Sequence, residues 1–187
     1  MPGNLFPKFY ADAVARWRVP SGFLLLAAFL WFARPSWDSI ALGVPLALVG
    51  LWLRGWAAGH LEKNEKVVSS GPYKYLRNPL YAGTLLVASG LTLASCQWAL
   101  AVLFGAVFLG VYWPRMELED QHLRNLFIDY PAYAEQVPLL WPRWPGLTSP
   151  GVFRWSLYLR NEEYNALGAF LIAMGFLAWR AATRQGL

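Results

Sequence analysis

The chain has 187 residues, 57% of them hydrophobic and only 14% charged, against roughly 25% charged in a typical soluble domain. With eleven Trp, eleven Phe and nine Tyr, this balance argues against a disordered chain, a coiled coil or an ordinary soluble enzyme. A net charge of +5 is too thinly spread for a nucleic-acid-binding stripe and suits an anionic membrane surface. One Cys (Cys96) and two distant His (His60 and His122) leave no disulfide framework, no multi-Cys zinc site and no H-E-x-x-H motif.

Five apolar blocks follow one another along the chain. They run over residues 19–33, 39–58, 80–96, 98–114 and 164–182. A spanning helix needs about 20 mostly apolar residues, so the pattern predicts an all-α integral membrane protein with five transmembrane helices in a single membrane domain. The first block follows a basic start but lacks an A-x-A cleavage site, so it reads as a retained helix and not as a leader. Blocks three and four are separated only by Ser95, Cys96 and Gln97, which predicts a helical hairpin. With the N-terminus placed inside, twelve Lys and Arg fall on inside segments and three (Arg34, Arg180 and Arg184) outside. Residues 59–79 and 115–163 then lie together on the cytoplasmic face, and the second is too long for an idle connection.

Arg54 lies within the second block, and an ionisable residue inside a spanning segment is a functional candidate, although near a helix end it can also snorkel. Gly55 and Gly59 next to it form a G-x-x-x-G, which predicts close helix packing. The first polar segment carries Gly71-Pro72-Tyr73-Lys74-Tyr75-Leu76-Arg77-Asn78-Pro79-Leu80-Tyr81-Ala82-Gly83. Gly-Pro sets a turn, and Asn-Pro places Pro79 in the first turn of the third helix. Free N–H groups at that helix start, with Arg77 beside them, suit a polar or anionic ligand; from spacing alone a juxtamembrane loop with snorkelling Tyr, Lys and Arg is the plainer reading. The second segment opens with Arg115, Glu117, Glu119, Asp120 and His122 as a continuation of the fourth helix. Arg115 and Glu119 are four residues apart on one face. They suit either a zwitterionic ligand or a solvated ion pair. No Gly-rich phosphate loop, G-x-S-x-G or G-x-G-x-x-G occurs.

Together the two segments resemble the isoprenylcysteine carboxyl methyltransferase family, which overlaps with the membrane phosphatidylethanolamine and phospholipid methyltransferases. The family's first motif reads G-x-Y-x-x-x-R-H-P-x-Y-x-G. Gly71, Tyr73, Arg77, Pro79, Tyr81 and Gly83 match it, with Asn78 in place of the His. The second motif is an Arg, a Glu-rich turn, an aromatic and two spaced tyrosines before Val-Pro. Arg115, Glu117, Glu119, Leu123, Phe127, Tyr130, Tyr133, Val137 and Pro138 fit it. The resemblance covers about residues 45–142.

It implies S-adenosylmethionine as cofactor without a metal, bound at the cytoplasmic helix ends, and a lipophilic acceptor arriving from the bilayer. By that resemblance Tyr73, Arg77, Asn78, Pro79 and Tyr81 line the cofactor site and Glu119 pairs with the methionyl amino group. Arg115 orients or neutralises an acidic acceptor, so Arg115 and Glu119 are the catalytic candidates. Asn78 keeps a hydrogen-bonding side chain but no titratable ring. A carboxylate acceptor needs no base, whereas an ammonium must first lose a proton, for which only His122 or a spare carboxylate is at hand. An NADPH-dependent reductase of the sterol-reductase type, similar in its C-terminal Arg/Pro/Tyr pattern, and a non-catalytic membrane protein are the competing readings. The last block lies outside the resemblance and is expected to anchor the C-terminal segment or to wall the acceptor entrance.

Overall fold

A computed structural model describes residues 8–63, 65–144, 146 and 149–185, and every regular element among them is helical. Helix α1 runs Lys8–Phe32 with Pro20 inside it, and starts well before the apolar block that predicted it. After Pro35, Ser36 caps α2 (Trp37–Ala58): its hydroxyl accepts from the Ser39 N–H at 3.1 Å and its own N–H donates to the Ser39 hydroxyl at 2.9 Å. This reciprocal cap fixes the helix start. A 3₁₀ turn at Gly71–Lys74 realises the Gly-Pro signal, with Gly71 at φ +58°. A Cβ there would stand 2.7 Å from the His60 ring, so only glycine fits. Pro79 opens α3 (Pro79–Ala94).

Helix α4 (Trp98–Val107) passes through a π-helical segment at Phe108–Tyr112 into α5 (Trp113–Leu126) without a break. Helix α6 (Tyr130–Gln136), the short α7 (Trp155–Arg160) and α8 (Tyr164–Gln185) complete the chain. Three helical stretches are long and apolar enough to cross a membrane: Trp37–Ala58, Trp98–Leu126 and Tyr164–Arg184. Two shorter apolar ones are Pro20–Phe32 and Pro79–Ala94. The three long stretches carry exposed Leu42, Val49, Leu109 and Ile172, as a lipid-facing surface requires.

The most extensive packing is α2 against α3. It runs through two glycine pairs: a Cβ on Gly43 would lie 2.3 Å from the Gly90 carbonyl, and one on Gly50 2.6 Å from that of Gly83. The expected role of Gly55 and Gly59 is corrected here. A Cβ on Gly55 would meet only the Tyr158 ring at 3.5 Å, and one on Gly59 would overlap the Phe153 ring at 2.1 Å. That glycine pair makes room for aromatic side chains of the later polar segment, not for another spanning helix.

Candidate functional site

The two polar segments fold onto one another. The backbone N–H groups of Arg77 and Asn78 donate to the Pro138 and Leu139 carbonyls at 2.9 and 3.1 Å, and the Arg143 N–H donates to the Tyr75 carbonyl at 3.0 Å. The Val137-Pro138 end of the second motif is thereby laid along the first. Tyr130, Tyr133 and Val137 are buried together against Val67, Leu123 and Phe127. The Tyr133 hydroxyl donates to the Tyr73 carbonyl at 2.7 Å.

Between the segments and the helix ends lies a cavity of about 880 Å³. That volume falls within the roughly 300–1,000 Å³ of small-molecule and cofactor sites. Helix α5 presents Arg115, Leu118, Glu119, His122 and Leu123 to it, the three-and-four spacing of a single helix face. Tyr73, Arg77 and Tyr81 line the cavity from the first motif, and Arg54 from α2. Asn78 and Pro79 do not line it. The Asn78 amide donates to the Leu139 carbonyl at 3.3 Å, and Pro79 is buried as the first residue of α3.

Polar groups inside the cavity differ in how fully they are engaged. Glu119 accepts from the Tyr81 hydroxyl at 3.2 Å. No ion pair joins Glu119 to Arg115, although the two share a face, and Arg115 has no ion-pair partner among the described residues. Arg77 is ion-paired with Asp120, yet its buried Nε lacks a partner. Asp120 also accepts from the Tyr130 hydroxyl at 2.7 Å and from Arg124 Nε at 2.8 Å. Burial pushes the Tyr73 hydroxyl well above the usual phenol range, with the negative charge of Glu119 adding to it. Burial does the same to Tyr133, and to Tyr130 together with its hydrogen bond to Asp120. These three tyrosines are therefore neutral hydrogen-bonding walls at physiological pH, not bases.

Sequence reasoning missed Asp120 and Glu163. Asp120 stands in a run with Glu117 and Glu119, and composition alone does not say which acid turns toward Arg77. Glu163 lies 109 residues from its partner Arg54, beyond the reach of any local spacing rule. Among the described residues no group of three His, Cys, Asp or Glu forms a metal site.

A family model described as phospholipid methyltransferase matches residues 22–129. The chain is 34% identical to the cobalt-zinc-cadmium resistance protein CzcN of Cupriavidus metallidurans over 138 residues, 68% of this chain and 62% of that protein. It is 30% identical to the nickel-cobalt-cadmium resistance protein NccN of Alcaligenes xylosoxydans xylosoxydans over 136 residues, 68% of this chain and 63% of that one. Protein-S-isoprenylcysteine O-methyltransferase B of Arabidopsis thaliana is 28% identical over 114 residues, 58% of each chain. The chain thus spans about three fifths of the length of these curated relatives. No solved structure matches it.

Proposed function

Since the chain belongs to the phospholipid methyltransferase family and is an integral membrane protein with three long apolar helices, we propose that it transfers a methyl group from S-adenosylmethionine to a lipophilic acceptor at the cytoplasmic membrane face. The observation that carries this reading is the single cavity into which both motif segments and the polar face of α5 converge. The residues present fit the cofactor. Glu119 is a carboxylate for its amino group, and the orphaned Nε of buried Arg77 is a donor without an acceptor. Tyr73 and Tyr81 supply neutral hydroxyls and aromatic faces. Arg115, without an ion-pair partner, orients an acidic acceptor. Asn78 and Pro79 act at one remove, by building the wall that carries Arg77 and Tyr81.

When bound, the cofactor supplies an already activated methyl group on its sulfonium. The protein's task is to bind, align and exclude water, which is catalysis by positioning. The names of the relatives and of the family make a prenylcysteine carboxylate or a phospholipid head the first acceptors to try. The topology proposed with this function has five crossings. Helices α1 and α3 supply the two shorter ones, and residues 59–79 and 115–163 face the cytoplasm, as the Lys and Arg asymmetry favours.

Thermal unfolding of detergent-purified protein with S-adenosylhomocysteine or NADPH tests the reading. At 100 times the dissociation constant a ligand adds about 2.7 kcal/mol of stability. Stabilisation by S-adenosylhomocysteine alone, weakened in Glu119→Gln, is the expected result. Stabilisation by NADPH, or by neither compound, overturns the reading, and unchanged affinity in Glu119→Gln removes that residue from the cofactor site.

A further inference from the structure

Arg54 is a charge in an apolar helix, and its surroundings are built around it. Its Nε and Nη2 donate to the two carboxylate oxygens of Glu163 at 2.6 and 2.9 Å. Its Nη1 donates to the Thr84 hydroxyl at 2.5 Å and to the Leu80 carbonyl at 3.3 Å. A guanidinium has five N–H donors. Four are engaged here, and the fifth has no partner among the described residues. Arg54, Leu80 and Thr84 all line the cavity, whereas Glu163, only 7% exposed, does not.

The fork between guanidinium and carboxylate fixes the plane of the Arg54 head group, which a single-point contact does not. Glu163 immediately precedes α8 and lies beyond residues 22–129, where the family match ends. A buried ion pair is an expensive way to gain stability, since apolar residues of the same volume commonly serve as well. This pair stands at the wall of the cavity and leaves the cation hydrogen-bonded on three sides while its remaining donor is unused. Net charge is cancelled, so the guanidinium is tolerated in a spanning segment. Its hydrogen-bonding power toward an oxyanion is kept.

We propose that Glu163 is a positioning residue: it aims the Arg54 guanidinium at the cavity, where Arg54 binds the oxyanion of the lipid acceptor. The inference rests on the methyltransferase reading of the same cavity and deepens it by bringing α8 into the site. Arg115 reaches the cavity from α5 and Arg54 from α2, so the acceptor's head meets guanidinium groups from two elements. The oxyanion is either a carboxylate, as in a prenylcysteine, or the phosphate of a phospholipid.

The test uses the full chain in nanodiscs as wild type, as Glu163→Gln, as Arg54→Lys, and as the charge exchange Arg54→Glu with Glu163→Arg. Three quantities are read: the dissociation constant for S-adenosylhomocysteine, the thermal midpoint, and methyl-transfer kinetics. The acceptor probes are S-farnesylcysteine, a carboxylate, and phosphatidylethanolamine vesicles, which carry a phosphate; the probe that wild type methylates identifies the source of the oxyanion. In Glu163→Gln and Arg54→Lys the acceptor KM rises about tenfold, while cofactor affinity stays within about twofold. The charge exchange restores the thermal midpoint and not the transfer, because it returns a pair but puts a carboxylate at the wall. Recovery of transfer in the exchange variant, an unchanged acceptor KM in Glu163→Gln, or equal losses of cofactor affinity and transfer each overturn the proposal and leave a structural pair. Wild type that binds S-adenosylhomocysteine yet methylates neither probe overturns the oxyanion role. Wild type that does not bind S-adenosylhomocysteine overturns the methyltransferase reading, and this inference with it.

Discussion

Asp120 shows how one buried acid sets a site without facing it. It is 5% exposed and does not line the cavity, but it accepts from Arg77, Arg124 and the Tyr130 hydroxyl, tying the first motif to the second. Removing its charge strands the Arg77 guanidinium, itself only 12% exposed. Asp120→Asn is expected to destabilise the protein by about 3 kcal/mol, the scale of an uncompensated buried charge. Arg124→Ala, which removes a partly exposed i,i+4 partner, should cost less than about 1 kcal/mol. Thermal or denaturant unfolding in detergent checks both, and equal costs would mean that Arg77 does not depend on Asp120. The sequence makes Arg77 legible because Gly71, Tyr73, Pro79 and Tyr81 stand around it at fixed spacing. It leaves Asp120 unreadable, because helix phase and not residue type separates it from Glu117 and Glu119.

At the scale of elements, each of the five apolar blocks is met by helix, since hydrophobic length is a strong signal; the first block overruns its helix by Ala33, the third by Ser95 and Cys96, and the fourth runs through α4 and the π-helical segment into α5. Three things escaped it. One is the early start of α1, where charged residues hide a helix that continues beyond the apolar run. Another is which glycines let helices touch: Gly43 and Gly50 on α2, and Gly83 and Gly90 on α3, are each seven residues apart, and no short motif announces them. The π-helical segment at Phe108–Tyr112 was equally silent. It changes the helical phase between α4 and α5, so the apolar face of α4 and the cavity face of α5 need not lie on one stripe. Gly90→Ile is expected to break the α2–α3 pair, costing about 3 kcal/mol or more through overpacking against backbone. Gly105→Ala, where a Cβ meets nothing within 4 Å, should be close to neutral. Folded yield by size-exclusion chromatography and S-adenosylhomocysteine affinity decide this. A well-folded Gly90→Ile protein with wild-type affinity would show that close approach is dispensable.

Across the whole molecule, the segment before α8 is pinned onto the loop after α2. The Arg154 N–H donates to the Gly59 carbonyl at 2.9 Å, and the Asn161 amide donates to the Ala58 and Leu61 carbonyls at 3.0 Å. Ion pairs join Arg154 to Glu62 and Arg160 to Glu65. The Glu62 carboxyl is held below the ordinary carboxylate range, first by its hydrogen bond to Lys66 and further by the charge of Arg154. Leu61, Glu62 and Lys66 line the cavity, so this strap fixes part of its wall. Exposed ion pairs are screened by salt, with a Debye length of about 3 Å at 1 M. Raising salt should therefore speed amide exchange in residues 59–66 and 149–163 and weaken S-adenosylhomocysteine binding, while α2 and α3 keep their protection. Hydrogen-exchange mass spectrometry reads this directly, and uniform change along the chain would show that the strap is not a separate unit.

The distance along the chain between Arg54 and Glu163 also orders events in time. Their separation of 109 residues means that roughly 5–20 s of synthesis, at about 5–20 residues per second, pass between the emergence of the cation and that of its counter-ion. During this interval α2 and α3 can already associate through their glycines, but the guanidinium has only Thr84 and Leu80 to satisfy it. The electroneutrality of an early helix thus waits on Glu163, a residue from the last part of the chain, just ahead of α8.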